Sequence, residues 1–183
     1  MRPTESLAAG LIVFNTLPED QAVLRLSTCL HASGWAVSVL AGRPYPDRES
    51  LLATAYRFGV VLDDDDLASA LSAHPRIGER PVGTGADAVH SRAEQGGVDA
   101  ADAELAQQLF DGNVAYENKF GRVFLIRAAG RDGPQILAAL TERLLNDPEV
   151  EARVIRDQLA QIAQIRLGLL LDELAPADRS EEQ

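Results

Sequence analysis

The sequence contains a single cysteine, Cys29, and no long uninterrupted apolar run. One thiol permits no internal disulfide, which suits a reducing compartment, and the leucines around Cys29 predict that it is a buried small hydrophobe. A membrane span needs roughly 18 uninterrupted apolar residues, and no segment approaches that length. The apolar stretch that ends at Phe14 continues into Asn15 without a small-residue cleavage site. We therefore expect a cytoplasmic protein with no membrane partner.

Basic residues are scarce: 17 lysines and arginines stand against 28 aspartates and glutamates, which gives a formal charge of −11. The resulting field repels polyanions, so the composition argues against nucleic acid as a partner. An anionic small-molecule substrate is compatible with this charge, but it would need a local arginine in its binding site.

Strand patterns are nearly absent, whereas apolar residues recur at helical spacing in segment after segment. A chain of 183 residues is long enough for one well-filled core. We predict an all-α fold, a single-domain bundle of about seven to nine helices over residues 1–175, followed by a disordered acidic tail at 176–183.

Capping residues, prolines and glycines mark the expected helix boundaries. The predicted helices cover about 18–33, 35–40, 47–62, 65–73, 99–118, 134–144 and 147–174. Residues 123–126 form the one strand-like piece, which is too short to found a sheet. Apolar spacing places Val114 on the inward face of the fifth of these helices.

Residues 74–97 differ in character, because prolines and glycines interrupt any regular pattern. A stretch of that length without secondary structure is usually functional or disordered. His74 precedes Pro75, which places it just past the last turn of the preceding helix. The negative end of the helix dipole favours imidazolium there, so His74 is a candidate for proton transfer. The alternative is a histidine that merely terminates the helix.

Residues 91–95 have the Ser-x-x-Glu spacing of a helix capping box, formed by Ser91 and Glu94 and followed by Gln95. Two glycines come next, so such a box would close barely one helical turn. An acid and an amide at the rim of a glycine-rich loop can instead orient a ligand. Both interpretations stay open, and one residue could serve both purposes.

Arg166 lies in the apolar stripe of the last predicted helix, together with Ile155, Leu159, Ile162 and Leu169. Burying a guanidinium without a partner is costly, so Arg166 should meet a carboxylate of the protein or of a ligand. The planar guanidinium matches a carboxylate bidentately, which an anionic substrate would need. A structural ion pair, or a side chain that snorkels to solvent, is the alternative.

Three further patterns could suggest a metal or nucleotide site, but none has the spacing that such a site needs. The Asp63–Asp66 run lacks the spacing of a calcium loop, and we interpret it as a solvated loop that feeds acids into a helix N-terminus. His74, His90 and Glu94 lack the spacing of zinc ligands, so we predict no metal site. The Gly-Thr-Gly at 83–85 lacks the lysine of a phosphate loop, which argues against nucleotide binding.

Several motifs occur in an order and spacing that are specific together. They are His74-Pro75-Arg76-Ile77-Gly78-Glu79, then Ser91-Arg92-Ala93-Glu94-Gln95, then Asn113-x-x-Tyr116-x-x-Lys119-Phe120-Gly121 with Phe124 and Ile126. Flanking matches are Phe14-Asn15, Cys29 with Trp35, Arg43-Pro44, Gly130-Arg131, Arg143-Leu144 and Arg166-Leu167. In this set, which spans nearly the whole chain, the sequence resembles the 2-oxo-4-hydroxy-4-carboxy-5-ureidoimidazoline (OHCU) decarboxylases.

The resemblance implies an all-helical, homodimeric enzyme of uric acid degradation that converts OHCU to S-allantoin without metal or organic cofactor. It makes His74 the catalytic histidine and Glu94 the catalytic acid. The other substrate contacts that it implies are Pro75, Ser91, Gln95, the backbone of Phe124, Leu125 and Ile126, and Arg166.

Two functions of other classes also fit these residues. A non-catalytic helical binding module could use the glycine-rich segment as a recognition loop. A metal-dependent ureide hydrolase could use His74, His90 and Glu94 with nearby aspartates. Formation of optically active allantoin separates an enzyme from a binder, and sensitivity to chelators would reveal the hydrolase.

Overall fold

The computed structural model describes residues 3–74 and 103–176, and within them every regular element is an α-helix. These residues form eight helices: α1 (Pro3–Thr16), α2 (Glu19–Cys29), α3 (Ser33–Ala41), α4 (Arg48–Gly59), α5 (Asp64–Ser72), α6 (Ala103–Phe120), α7 (Gly133–Arg143) and α8 (Pro148–Leu174). The all-α prediction and the expected number of helices are confirmed. Most of the glycine-rich segment, and the acidic tail from 177 onward, lie outside the described residues.

The helices begin and end close to the predicted positions. Asp47 caps α4 by accepting a hydrogen bond from the Ser50 amide at 2.7 Å, as its position predicts. Helix α6 ends before Gly121, whose φ of 67° lies in the left-handed region that glycine adopts without strain. The first predicted helix is shorter than expected. It ends at Cys29 and does not continue to Gly34, because the backbone is already extended at Leu30.

Helix α1 has no counterpart among the predicted helices. In its second half Leu11 and Phe14 are buried while Ile12 is 63% exposed, so apolar side chains are found on more than one side. An apolar run of that kind has weak helical periodicity, which explains why spacing does not reveal the helix.

The chain divides into two compact units, Met1–Asp66 with Ala160–Gln183, and Leu67–Leu159. In the first unit, Phe14 and Trp35 are among the largest fully buried side chains, and Cys29 is buried as predicted. A Cβ added at Gly59 would lie 2.7 Å from the Cβ of Ala160, so glycine allows α4 and α8 to approach closely there. The single domain over residues 1–175 stays a prediction.

Asp66 corrects the interpretation of the Asp63–Asp66 run. Its side chain is buried and accepts hydrogen bonds from the backbone amides of Gly34 at 3.3 Å and Trp35 at 3.1 Å. The interpretation as a solvated loop is therefore wrong at Asp66, because its carboxylate accepts from amides that α3 leaves unpaired at its N-terminus. The Asp63 carboxylate in turn accepts from the Asp66 amide at 2.8 Å and caps α5.

The second unit has its own apolar core, formed by α6, α7 and the connection between them. Its buried members are Leu109, Tyr116, Phe124, Ile126, Ala128, Ile136 and Leu140. The inward placement of Val114 is wrong, since Val114 is 39% exposed. The buried face of α6 follows Leu109, Asn113 and Tyr116 at steps of four and three, and Val114 falls beside this face.

A similar correction applies to the apolar stripe of α8. Ile155, Leu159 and Ile162 are buried as predicted, but Leu169 is 45% exposed. Leu170 takes the inward position instead, because the stripe advances by four residues from Arg166 rather than by three.

Candidate active site

His74 follows the last turn of α5, as its position before a proline predicts. The side chain is 8% exposed, and Nδ1 lies 2.8 Å from the carbonyl oxygen of Ala70. A carbonyl oxygen can only accept a hydrogen bond, so Nδ1 carries a proton and Nε2 is the nitrogen whose protonation can change. The backbone amide of His74 also donates to Leu71 at 3.0 Å. The helix end thus holds the ring in one tautomer at the negative end of its dipole.

The connection between α6 and α7, residues 121–132, includes the predicted backbone contacts. Phe124, Leu125 and Ile126 are buried, and no regular strand forms there. Phe124, Ile126 and Ala128 belong to the core of the second unit, whereas Leu125 does not. This period of two is that of an extended chain, in which successive side chains point to opposite faces.

A buried charged network holds this connection. Arg143 donates from Nη1 to the carbonyl oxygen of Leu125 at 2.6 Å and from Nε to the Glu151 carboxylate at 2.9 Å. Its Nη2 pairs with the same carboxylate oxygen, to which the Tyr116 hydroxyl also donates. Asn146 donates to the other oxygen at 2.8 Å. Because Arg143 is 7% and Glu151 1% exposed, both charges are removed from water together.

The same network fixes the protonation of Tyr116 and the position of Phe124. Burial, followed by the hydrogen bond to Glu151, raises the pKa of Tyr116, so the hydroxyl remains a donor. The Tyr116 ring packs edge-on against Phe124 with centroids 5.2 Å apart, and the guanidinium carbon of Arg143 lies 4.7 Å from the centre of the Phe124 ring.

Gln158, in α8, holds the connection at a second point. Its Oε1 accepts a hydrogen bond from the backbone amide of Arg127 at 2.9 Å. Side chains of α7 and α8 therefore hydrogen-bond to the backbone of the connection at Leu125 and Arg127, two residues apart.

Arg166 belongs to the first unit and is 4% exposed. This burial excludes a side chain that snorkels to solvent. That Arg166 meets a carboxylate of the protein or of a ligand stays a prediction.

Four predicted site residues, Pro75, Ser91, Glu94 and Gln95, lie outside the described residues, as does His90 of the alternative metal site. Of the others, His74 and residues 124–126 belong to the second unit, and Arg166 belongs to the first.

Within residues 3–74 and 103–176, no three His, Cys, Asp or Glu side chains are grouped so that they could hold a metal ion. None of the helices in this part of the chain combines the length and the apolar character that crossing a membrane requires.

Sequence patterns did not identify Glu151 or Gln158 as candidate site residues. Arg143 appeared only among the flanking matches of the family resemblance. Ile136, Leu140 and Arg143 follow steps of four and three on α7, so Arg143, like Arg166, stands in an apolar stripe where a guanidinium needs a partner. Glu151 resembles any acid in the first turn of a helix, and no local pattern reveals its burial.

The chain matches the family described as OHCU decarboxylase over residues 15–168. It is 31% identical over 150 residues to the uric acid degradation bifunctional protein TTL of Arabidopsis thaliana, which covers 80% of this chain and 46% of that protein. It is 31% identical over 134 residues to the 2-oxo-4-hydroxy-4-carboxy-5-ureidoimidazoline decarboxylase of Amia calva, which covers 72% of this chain and 77% of that one.

A solved structure is similar over most of its length. The crystal structure of an OHCU decarboxylase in the presence of (S)-allantoin has a TM-score of 0.64 at 27% identity, and the likeness covers 79% of this chain and 95% of that chain. The chain spans about half the length of the bifunctional relative and most of the length of the Amia calva protein. The match over residues 15–168 includes His74, the connection between α6 and α7, and Arg166. The chain therefore belongs to the OHCU decarboxylase family.

Proposed function

We propose that this protein decarboxylates OHCU to S-allantoin in uric acid degradation. The observation that carries the proposal is the family match over residues 15–168, a range that includes every proposed site residue. The relatives in Arabidopsis thaliana and Amia calva carry this pathway or this substrate in their names. The ligand is a small anionic ureidoimidazoline, and we assign no nucleic acid or membrane partner.

The reaction breaks the bond between a ring carbon and the carboxylate, which leaves as carbon dioxide. The electron pair left behind is delocalised into the ring, and a proton must then be delivered to one face. His74 donates this proton from Nε2, since Nδ1 is committed to the Ala70 carbonyl. Glu94 orients the substrate hydroxyl or its ureide nitrogens.

The remaining residues form a polar cradle around the substrate. Arg166 holds an anionic or carbonyl oxygen, for which a planar guanidinium is suited. Ser91 and Gln95 satisfy the remaining polar edges, Pro75 borders the histidine, and the backbone of residues 124–126 contributes hydrogen bonds.

Replacement of His74 by asparagine tests the proposal. General-acid catalysis contributes about 10²–10⁴-fold, so kcat should fall by that factor while the far-UV circular dichroism stays unchanged. His31→Asn is the matched control, since His31 is exposed. Allantoin formation from freshly generated OHCU is followed by circular dichroism, because the product is optically active. Turnover of His74→Asn within about twofold of the parent would remove His74 from the mechanism.

Glu94→Gln separates the two interpretations of residues 91–95. A ligand-orienting acid predicts loss of turnover in a stably folded protein, whereas a helix cap predicts a loss of stability of about 1 kcal/mol with turnover retained. Glu104→Gln, at an exposed position of α6, is the control.

We further propose a cytoplasmic homodimer that needs neither metal nor organic cofactor. The resemblance described above supports the dimer and the cofactor-free reaction, and the single buried cysteine supports a reducing compartment. Sedimentation velocity tests the dimer, and cell fractionation tests the location. Activity that is lost on dialysis against a chelator and restored by zinc would favour the metal-dependent hydrolase.

A further inference from the structure

The connection between α6 and α7 has two different backbone edges. In an extended chain the N–H and C=O of one residue point to the same edge, and those of the next residue point to the opposite edge. The Leu125 carbonyl meets Arg143, and the Arg127 amide meets Gln158. Residues 125 and 127 therefore share one edge, which side chains of α7 and α8 occupy.

The opposite edge belongs to Phe124 and Ile126. These two residues are 1% and 4% exposed, yet within the described ranges no group hydrogen-bonds to their backbone N–H or C=O. Buried backbone polar groups are paired in more than about nine cases in ten, so this edge calls for a partner.

The spacing of the groups on this edge indicates the chemistry of the partner. The C=O of residue 124 and the N–H of residue 126 lie side by side, as an acceptor next to a donor. A ureido group carries a complementary N–H donor and C=O acceptor. It can bind both groups at once, as an added strand does in peptide recognition.

We infer that Arg143 and Gln158 are positioning residues: by holding the edge at 125 and 127, they aim the Phe124 C=O and the Ile126 N–H at the ureido group of the substrate. This inference rests on the proposed function, which makes the connection part of the substrate site. Neither side chain touches the substrate. Their effect is transmitted through the backbone, and it should therefore change KM more than kcat.

Gln158 allows the sharper kinetic test, because it is uncharged. Gln158→Met keeps the length of the side chain but removes the acceptor for the Arg127 amide, together with the Nε2 donor that lies 3.3 Å from the Asp157 carboxylate. We expect Gln158→Met to raise KM about tenfold with kcat within about twofold. Gln164→Met is the matched control, since Gln164 lies on the same helix and donates to the Leu52 carbonyl at 3.0 Å in the first unit.

A second measurement uses the unchanged chain and needs no turnover. Titration of the isotope-labelled protein with (S)-allantoin, which carries a ureido group, should shift the backbone amide of Ile126 more than the amides of Leu125 and Arg127. The Gln158→Met variant should weaken that response about tenfold in affinity.

The outcomes distinguish this inference from the proposed function. Larger shifts at Leu125 and Arg127 than at Ile126, an unchanged KM in Gln158→Met, or an equal rise of KM in Gln164→Met would each overturn it. If the protein forms no allantoin from OHCU but still shows the Ile126 shift, the proposed function is refuted. The inference that the edge of Phe124 and Ile126 binds a ureido group is then retained.

Discussion

Glutamine at position 151 would remove one charge from the buried network without changing the shape of the side chain. Both carboxylate oxygens of Glu151 face donors, from Arg143 and Tyr116 at one oxygen and from Asn146 at the other. In Glu151→Gln the amide nitrogen would face a donor at either position. The guanidinium, in addition, would lose its counter-charge in a site closed to water.

The expected cost follows from this burial. Removing one partner of a buried ion pair costs about 3–5 kcal/mol, and the lower end applies because the remaining oxygen still accepts a hydrogen bond. For a chain of this length, 1 kcal/mol corresponds to about 2–4 °C, so Tm should fall by roughly 6–12 °C.

Asp172→Asn is the matched comparison, because it makes the same chemical change in a solvent-exposed pair. Arg48 and Asp172 lie 2.5 Å apart, with side chains that are 28% and 47% exposed. Such pairs contribute about 0–1 kcal/mol. Urea unfolding followed by far-UV circular dichroism measures both variants. Equal losses of stability would refute the conclusion that the Glu151 pair is desolvated.

Three further changes test other parts of the fold. Asp66→Ala should lower the free energy of unfolding by about 1–2 kcal/mol in urea titrations, because it uncaps α3, whereas the exposed Asp65→Ala should cost under about 0.5 kcal/mol; equal costs would contradict the cap. Because the pKa of Tyr116 is raised from 10.0, the unfolded chain loses this proton first, and stability should fall as pH rises above about 10. Tyr116→Phe should flatten that fall, and an unchanged slope would argue against a protonated buried hydroxyl. Gly10→Ala would place a Cβ in steric overlap with the carbonyl oxygen of Leu171, so Tm should drop by an amount equivalent to about 1–3 kcal/mol, and an unchanged Tm would contradict the close approach of α1 to α8.

Helix boundaries were predictable because their causes are local. Asp47 caps a helix that starts at the next residue, and Gly121 ends one by adopting a positive φ. Both signals act within one turn, so the sequence alone carries them.

Contacts between distant residues were not predictable in the same way. Asp66 accepts from amides more than 30 positions away, and Glu151 accepts from Tyr116, which lies 35 positions away. Nothing near either acid in sequence distinguishes it from an acid exposed in a first helical turn.

The candidate site shows the same division. Residue chemistry left His74 open between a helix terminator and a proton donor, and it left Arg166 open between an ion pair and a substrate contact. The assignment of these residues, and of Glu94, depended on the resemblance in motif order. The hydrogen bonds from Arg143 and Gln158 to the connection could be recognised only from the three-dimensional structure.

Asp66 stands in the first turn of α5, while its carboxylate completes the first turn of α3. The starts of two helices are therefore joined through one side chain. Fraying at the start of α5 would withdraw the acceptor from both α3 amides, and α3 would begin to unwind as well. The first turns of α3 and α5 should therefore open together, so proteolytic cleavage at either of them should require the same local unfolding.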